Sequence, residues 1–167
     1  GDFTLVGIIW NFFSAQKCNM AQSDFNGICN IFPNIFRPNL FIILKYLYAQ
    51  KHERGGIYIV VYTNNKGGNK WISLIRNYIE YKMGIKIFDR LIGPYKINNK
   101  IIETCRSCED KTYRDFIECS AIPKTAKVLF VDDQYYPYMN HNKVIYINVK
   151  KYKYYDTNIS IINTFIN

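Results

Sequence analysis

The segment that decides the fold is Lys127-Val128-Leu129-Phe130-Val131-Asp132-Asp133, an apolar run that ends abruptly in two adjacent carboxylates. Its β-branched residues favour a buried strand. Ligands of open α/β sheets bind beyond the carboxyl ends of the strands, and a hard cation such as Mg²⁺ takes oxygen ligands. Two neighbouring acids repel each other unless a positive charge lies between them. We therefore predict a metal site at Asp132 and Asp133; the alternative is a strand that ends in a solvated acidic turn.

Two other segments place polar residues beside apolar runs. Ile57-Tyr58-Ile59-Val60-Val61 continues into Tyr62-Thr63-Asn64-Asn65-Lys66-Gly67-Gly68, ahead of a helical pattern. The Thr63 hydroxyl and the Asn64 amide, followed by a glycine turn and a helix amino terminus, can cradle an anion. An ordinary turn with a helix cap is the alternative. The chain opens with Gly1-Asp2-Phe3-Thr4-Leu5-Val6, which puts a carboxylate and a threonine before an apolar stretch.

These three segments, in this order, resemble the motifs of the haloacid dehalogenase superfamily, whose members hydrolyse phosphate esters through an aspartyl-phosphate. The stretch Asp2-Phe3-Thr4-Leu5-Val6 is similar to the second half of the first motif, Thr63 to the second and Val131-Asp132-Asp133 to the fourth. Arg37-Pro38-Asn39-Leu40 resembles a helix start of the branch that contains the RNA polymerase carboxy-terminal-domain and NLI-interacting-factor-like phosphatases. That branch more often has Asp-Asn in its fourth motif. The resemblance spans nearly the whole chain.

The resemblance implies a role for each of these residues. Asp132, Asp133 and Asp2 would lie at a Mg²⁺ site, and Thr63, Asn64 and the lysine of the third motif would bind the phosphate. Lys111 is the expected third-motif lysine, because it opens a helical pattern whose first turn would face the site. Lys124, in an exposed connection before the last core strand, is the alternative.

The first motif leaves two alignments open. Aligning Thr4-Leu5 with the family makes Asp2 the general acid and base, and places the nucleophilic aspartate just upstream of Gly1. The other alignment makes Asp2 the nucleophile, with Thr4 in the place of the second acid. The first is preferred because Thr-Leu-Val then falls where the family has it.

The fold expected from the resemblance and from the alternation of strands and helices is α/β. It is a three-layer Rossmann-like architecture, with a mainly parallel sheet and helices on both faces, in a single domain over residues 1–167. The spacings from Asp2 to Thr63 and from Thr63 to Lys111 leave no room for a large cap domain. An uncovered site suits a phosphate on a macromolecule.

Apolar periodicity predicts where the elements lie. The segment before Phe36 is expected to be irregular, after a strand that enters residue 1. Strands are predicted at residues 57–61, 85–92, 127–131 and 143–149, and helices at Pro38 to about Gln50, Trp71 to a stop at Gly84, Lys111 to Cys119, and from Asp156 or Thr157 onward.

Composition and charge bear on the partner. The 167 residues are 49% hydrophobic, enough to bury a core without disulfides, and the net charge of +9 favours a polyanionic partner. The basic, aromatic run Lys150-Lys151-Tyr152-Lys153-Tyr154-Tyr155 could grip a phosphorylated chain or single-stranded nucleic acid, or it is a solvated edge. No apolar run approaches the roughly 20 residues of a membrane span, so no membrane partner is expected.

The predicted function is therefore a Mg²⁺-dependent phosphatase that acts on phosphoserine or phosphothreonine in a protein. A nucleic-acid end phosphatase and a phosphatase-like binding module that has lost its nucleophile are the alternatives.

The five cysteines are an odd number, and the start of the chain is a poor match to a signal peptide. Both features favour a reducing, intracellular location, cytoplasmic or nuclear. Cys105-Arg-Ser-Cys108 has zinc-like spacing, but no second pair of matching spacing appears. Free thiols are therefore expected at these positions.

Overall fold

The computed structural model describes residues 20–153, apart from the side chains of residues 68 and 69. The chain divides into two compact units, one formed by Gly1–Leu40 and Lys151–Asn167 and the other by Phe41–Lys150. Asp2, the strand expected at the start of the chain and the helix expected after Asp156 lie outside the described residues. The expectation of a single domain stays a prediction.

The first unit contains a helix that the sequence analysis missed. Helix α1 spans Gln22–Ile31 and is followed by a 3-10 turn at Pro33–Ile35. The irregular segment expected before Phe36 is therefore wrong for these residues. The reason is a short apolar face at helical spacing, with Phe25, Ile28 and Cys29 buried, that an otherwise polar, Asn-rich sequence obscures.

Three helices lie wholly or almost wholly in the second unit: α2 at Leu40–Arg54, α3 at Gly68–Met83 and α4 at Tyr113–Ser120. All three were predicted within a few residues of their positions. Helix α2 begins two residues after Pro38, because Asn39 adopts a left-handed backbone at φ 66°. Gly84 ends α3 at φ 69°, the conformation that glycine adopts at least cost.

The described strands form three separate two-stranded sheets. The first pairs β1 (Val60–Tyr62) with β2 (Arg90–Ile92) in parallel, so that Tyr62 lies opposite Ile92. The second is an antiparallel hairpin of β3 (Lys96–Ile97) and β4 (Lys100–Ile101). The third pairs β5 (Val128–Asp132) with β6 (Val144–Asn148) in parallel. The α/β class with parallel strands is thus confirmed, while a single sheet between two helical layers is not found among the described residues.

One strand prediction needs correction, and one hairpin was missed. Only the carboxyl end of the segment expected as a strand at residues 85–92 forms one, which is β2. Ile87 is buried, but it precedes β2 and pairs with no other described strand. The β3–β4 hairpin was not predicted. Its turn residues Asn98 and Asn99 have φ of 48° and 62°, a left-handed pair that asparagine tolerates and that hairpin turns require.

One core in the second unit receives side chains from both parallel sheets and from α4. Its buried members are Tyr62, Ile92, Phe116, Ile117, Cys119, Val128, Phe130 and Met139. The shared core brings the carboxyl ends of β1 and β5 to the same region. On the opposite face of β5 and β6, four aliphatic side chains are exposed: Leu129, Val131, Ile145 and Ile147.

None of the helices within residues 20–153 is both long and apolar enough to cross a bilayer.

Candidate functional site

A buried ion pair lies at the carboxyl end of β5. The Lys111 Nζ atom is 2.6 Å from the Asp132 Oδ2 atom, and the two side chains are only 7% and 12% exposed. The ammonium also lies 5.0 Å from the ring centroid of Tyr136 and 5.7 Å from that of Phe130. Burial lowers the pKa of Lys111, while the Asp132 carboxylate opposes that shift. Lys111 and Asp132 are 21 positions apart in the sequence. The structure therefore brings together two residues that were predicted to belong to one site.

The start of α4 fixes the position of Lys111. Thr112 caps the helix, because its Oγ1 atom accepts a hydrogen bond of 3.0 Å from the Asp115 backbone N–H. The Thr112 backbone N–H donates to the Tyr62 hydroxyl at 3.3 Å, and Tyr62 is the last residue of β1. Lys111 is thus held between a helix cap on one side and the end of a strand on the other.

The segment after β1 folds back on the start of α3. The Thr63 backbone N–H donates to the Ile92 carbonyl at 3.0 Å, which continues the pairing of β1 with β2. The Thr63 Oγ1 atom accepts from the Asn65 backbone N–H at 3.1 Å. Gly67 is required for the close packing that follows, since a Cβ atom there would lie 2.8 Å from the Trp71 ring. The partly exposed side chains of Thr63 and Asn64 therefore belong to the turn that leads into α3, and helix amino termini favour anions.

Arg106 was not predicted as a site residue from the sequence. It contacts both the segment after β1 and the backbone before Lys111. Its side chain is buried, at 3% exposure. One terminal nitrogen donates to the Asn64 Oδ1 atom and to the Gly93 carbonyl, both at 2.8 Å. The other donates to the carbonyls of Glu109 and Asp110, both at 2.9 Å. The only signal in the sequence was a lone arginine between two cysteines, and a lone loop arginine is usually solvated.

The Tyr62 ring lies close to both Arg106 and Lys111. Its ring centroid lies 4.9 Å from the Arg106 Cζ atom and 5.6 Å from the Lys111 Nζ atom. Burial raises the pKa of the Tyr62 hydroxyl to about 12, although the positive charge of Arg106 opposes that shift. The hydroxyl therefore stays neutral at physiological pH, and the ring contributes a cation–π contact to each of the two cations.

The predicted metal ligands fit a magnesium ion only in part. Mg²⁺ is usually held by one or two carboxylates, with waters and phosphate oxygens in its other positions. Asp132 and the exposed Asp133 supply two adjacent carboxylates at the strand end. The Asp132 Oδ1 atom also accepts from the Gln134 backbone N–H at 2.9 Å, and its Oδ2 atom is shared with Lys111. Residues 20–153 contain no group of three or more potential metal-binding side chains, and the role of Asp2 stays a prediction.

The expectation of free thiols is wrong for Cys105, which forms a disulfide with Cys119. The Cα atoms of the two residues are 5.3 Å apart, because the loop that contains Cys105 returns to the last turn of α4. The sequence showed only the zinc-like spacing of Cys105 and Cys108, whereas the fold places Cys105 beside Cys119. Cys29 and Cys108 are free thiols. A disulfide is typical of an oxidising compartment, so the reducing location expected from the sequence gains no support.

Comparisons with known proteins found no matching family model, no matching curated protein and no matching solved structure. The functional assignment therefore depends on the motifs and on the geometry of the site.

Proposed function

We propose that this chain is a Mg²⁺-dependent phosphatase that hydrolyses phosphoserine or phosphothreonine esters of proteins through an aspartyl-phosphate. The proposal includes the three-layer Rossmann-like fold of the haloacid dehalogenase superfamily, without a large cap domain. The observation that carries it is the buried pair of Lys111 and Asp132 at the end of β5. These two residues lie 21 positions apart in the sequence, and their contact supports the proposal.

The segment after β1 supports the same conclusion. Arg106 links the Asn64 side chain to the backbone directly before Lys111, so the phosphate-binding candidates share one set of contacts. A phosphate in this region would meet the Lys111 ammonium, the hydroxyl of Thr63 and the amino terminus of α3. Each of these groups favours negative charge.

The chemistry follows from the charge of the substrate. A phosphate ester repels an attacking carboxylate, and Mg²⁺, when bound, would neutralise charge on the transferring group. Lys111 supplies a fixed positive charge, and the Thr63 hydroxyl donates a hydrogen bond to a phosphate oxygen. The nucleophilic carboxylate forms a bond to phosphorus as the bond to the leaving oxygen breaks.

Proton transfer is assigned to Asp2 in the preferred alignment. Its carboxylic acid gives a proton to the leaving oxygen. The resulting carboxylate then takes a proton from the water that attacks the aspartyl-phosphate, so that phosphate is released and the nucleophile is regenerated.

The test is phosphate release from phosphoserine and phosphothreonine peptides, with Mg²⁺ and with a chelator, by protein that carries the residues preceding Gly1. We expect Lys111→Met to lower kcat by about 100-fold or more, because a fixed charge at the transition state is lost. The matched control is Lys124→Met, at an exposed lysine, which should retain wild-type activity.

Three outcomes would contradict the proposal: no release from any phosphoester, activity that survives chelation, or full activity in Lys111→Met. Oligonucleotides with 3′- or 5′-phosphates form a second arm of the assay. A preference for these substrates, with a rate that falls steeply as salt is raised, would favour the nucleic-acid alternative, which the net charge of +9 also suits.

A further inference from the structure

Arg106 makes contacts that bring three separate parts of the chain together. Its guanidinium donates to Asn64 after β1, to the Gly93 carbonyl after β2, and to the carbonyls of Glu109 and Asp110 just before Lys111. These contacts span up to 42 positions in sequence. Burying a cation is costly unless the charge is paired and hydrogen-bonded, and in Arg106 both terminal nitrogens are hydrogen-bonded.

All four acceptors are neutral oxygens, so none of these contacts cancels the charge of Arg106. The Nε atom is also buried without a hydrogen-bond partner. The guanidinium therefore contributes a positive charge to a region in which the Lys111 ammonium is already paired with Asp132. The Asp115 carboxylate, which is buried and accepts a hydrogen bond from Ser107, is a negative charge in the same region.

Arg106 also decides which way the Asn64 amide faces. A guanidinium can only donate, so the Asn64 oxygen must face Arg106 and its NH₂ group must face away. The Asn64 side chain also makes a hydrogen bond that lowers the pKa of the Tyr136 hydroxyl, although burial is the larger influence and raises that pKa. The amide oxygen is thus fixed toward Arg106, and the NH₂ group is directed toward the Tyr136 hydroxyl.

We infer that Arg106 is a positioning residue of the proposed phosphatase site, which holds the Asn64 amide and the backbone before Lys111 in one arrangement. The inference rests on the proposed function for its catalytic consequence. Its structural part, the fixing of the loop, can be tested separately.

The variants are Arg106→Lys and Arg106→Met. Lysine keeps the charge, but it lacks the planar guanidinium and cannot donate to all four acceptors. Methionine removes the charge and every donor. The matched control is Arg114→Lys, at an exposed position in the first turns of α4. Circular dichroism of each variant gives the folded fraction, and all rates are normalised to that fraction.

The first readout is the kinetics of phosphopeptide hydrolysis. We expect kcat per folded molecule to fall by about 10- to 100-fold in both Arg106 variants, because misplacement by about 1 Å has that effect. KM should change much less, and Arg114→Lys should match the wild type. A residue that only stabilises the fold would leave kcat per folded molecule unchanged, and that result would overturn the inference.

The second readout is amide hydrogen exchange of residues 107–112, which needs no activity. Exchange in this segment should be faster in Arg106→Lys than in Arg114→Lys. If the wild type hydrolyses no phosphoester, the proposed function fails and the exchange result alone decides whether Arg106 fixes the loop. If exchange is unchanged in Arg106→Lys, the positioning role is wrong even when the enzyme is active.

Discussion

Removing the disulfide between Cys105 and Cys119 should destabilise the protein by about 3 kcal/mol. The two residues are separated by 14 positions, and the chain-entropy relation gives about 3 kcal/mol for a closed loop of about 15 residues. The perturbation is the double variant Cys105→Ser/Cys119→Ser. For a protein of this size the same change corresponds to a fall in Tm of about 6 to 12 °C.

The assay is urea denaturation of the wild type and the double variant, each with and without a thiol reductant. The reductant should lower the wild-type midpoint to that of the variant and should leave the variant unchanged. Cys108→Ser is the matched control, because Cys108 lies in the same loop and is a free thiol. It should behave as the wild type in both conditions.

The reasoning is refuted if reductant does not shift the wild-type midpoint. It is also refuted if peptide mapping of the unreduced protein finds free thiols at Cys105 and Cys119. A shift of equal size in Cys108→Ser and in the double variant would assign the stabilisation to the loop residues rather than to the bond.

Three further predictions follow from buried or capping groups. Asp132→Asn should cost about 3 to 5 kcal/mol because it leaves the buried Lys111 ammonium without its carboxylate, and adding Lys111→Met should recover part of the loss in urea denaturation. Thr112→Ala should lower the free energy of unfolding by about 1 kcal/mol through loss of the helix cap, and Thr112→Ser should restore it. Since the pKa of Tyr62 is raised from 10.0 to about 12, the stability from its neutral hydroxyl is present below pH 10 and is lost as pH rises toward 12. The free energy of unfolding of Tyr62→Phe should therefore fall less than that of the wild type between pH 10 and pH 12. An equal fall in the two proteins would contradict the assignment.

Local pattern was sufficient to find most of the regular elements. The apolar run before Asp132 became β5, and the repeat that starts at Trp71 became α3 with its stop at Gly84. These elements were predictable because burial selects apolar residues at fixed spacing, and glycine alone takes a left-handed backbone at little cost. Helix α1 was not predicted because its apolar face has few residues within a polar, Asn-rich sequence.

The candidate site was predictable only where a residue ends a strand or begins a helix. Lys111 and Asp132 were named from such positions, and the fold places them 2.6 Å apart. Arg106 has no such position, and its role depends on acceptors in three segments. No local pattern encodes contacts of that kind.

The amino-acid sequence by itself determined the α/β class, the strand that delivers Asp132 and Asp133, and the helix that presents Lys111, since each depends on neighbours within a few residues. Only the tertiary structure decided that Cys105 bonds to Cys119 and that Arg106 orients Asn64. Those choices depend on which distant segments pack together, because a buried guanidinium or thiol takes whichever partner the fold places within reach.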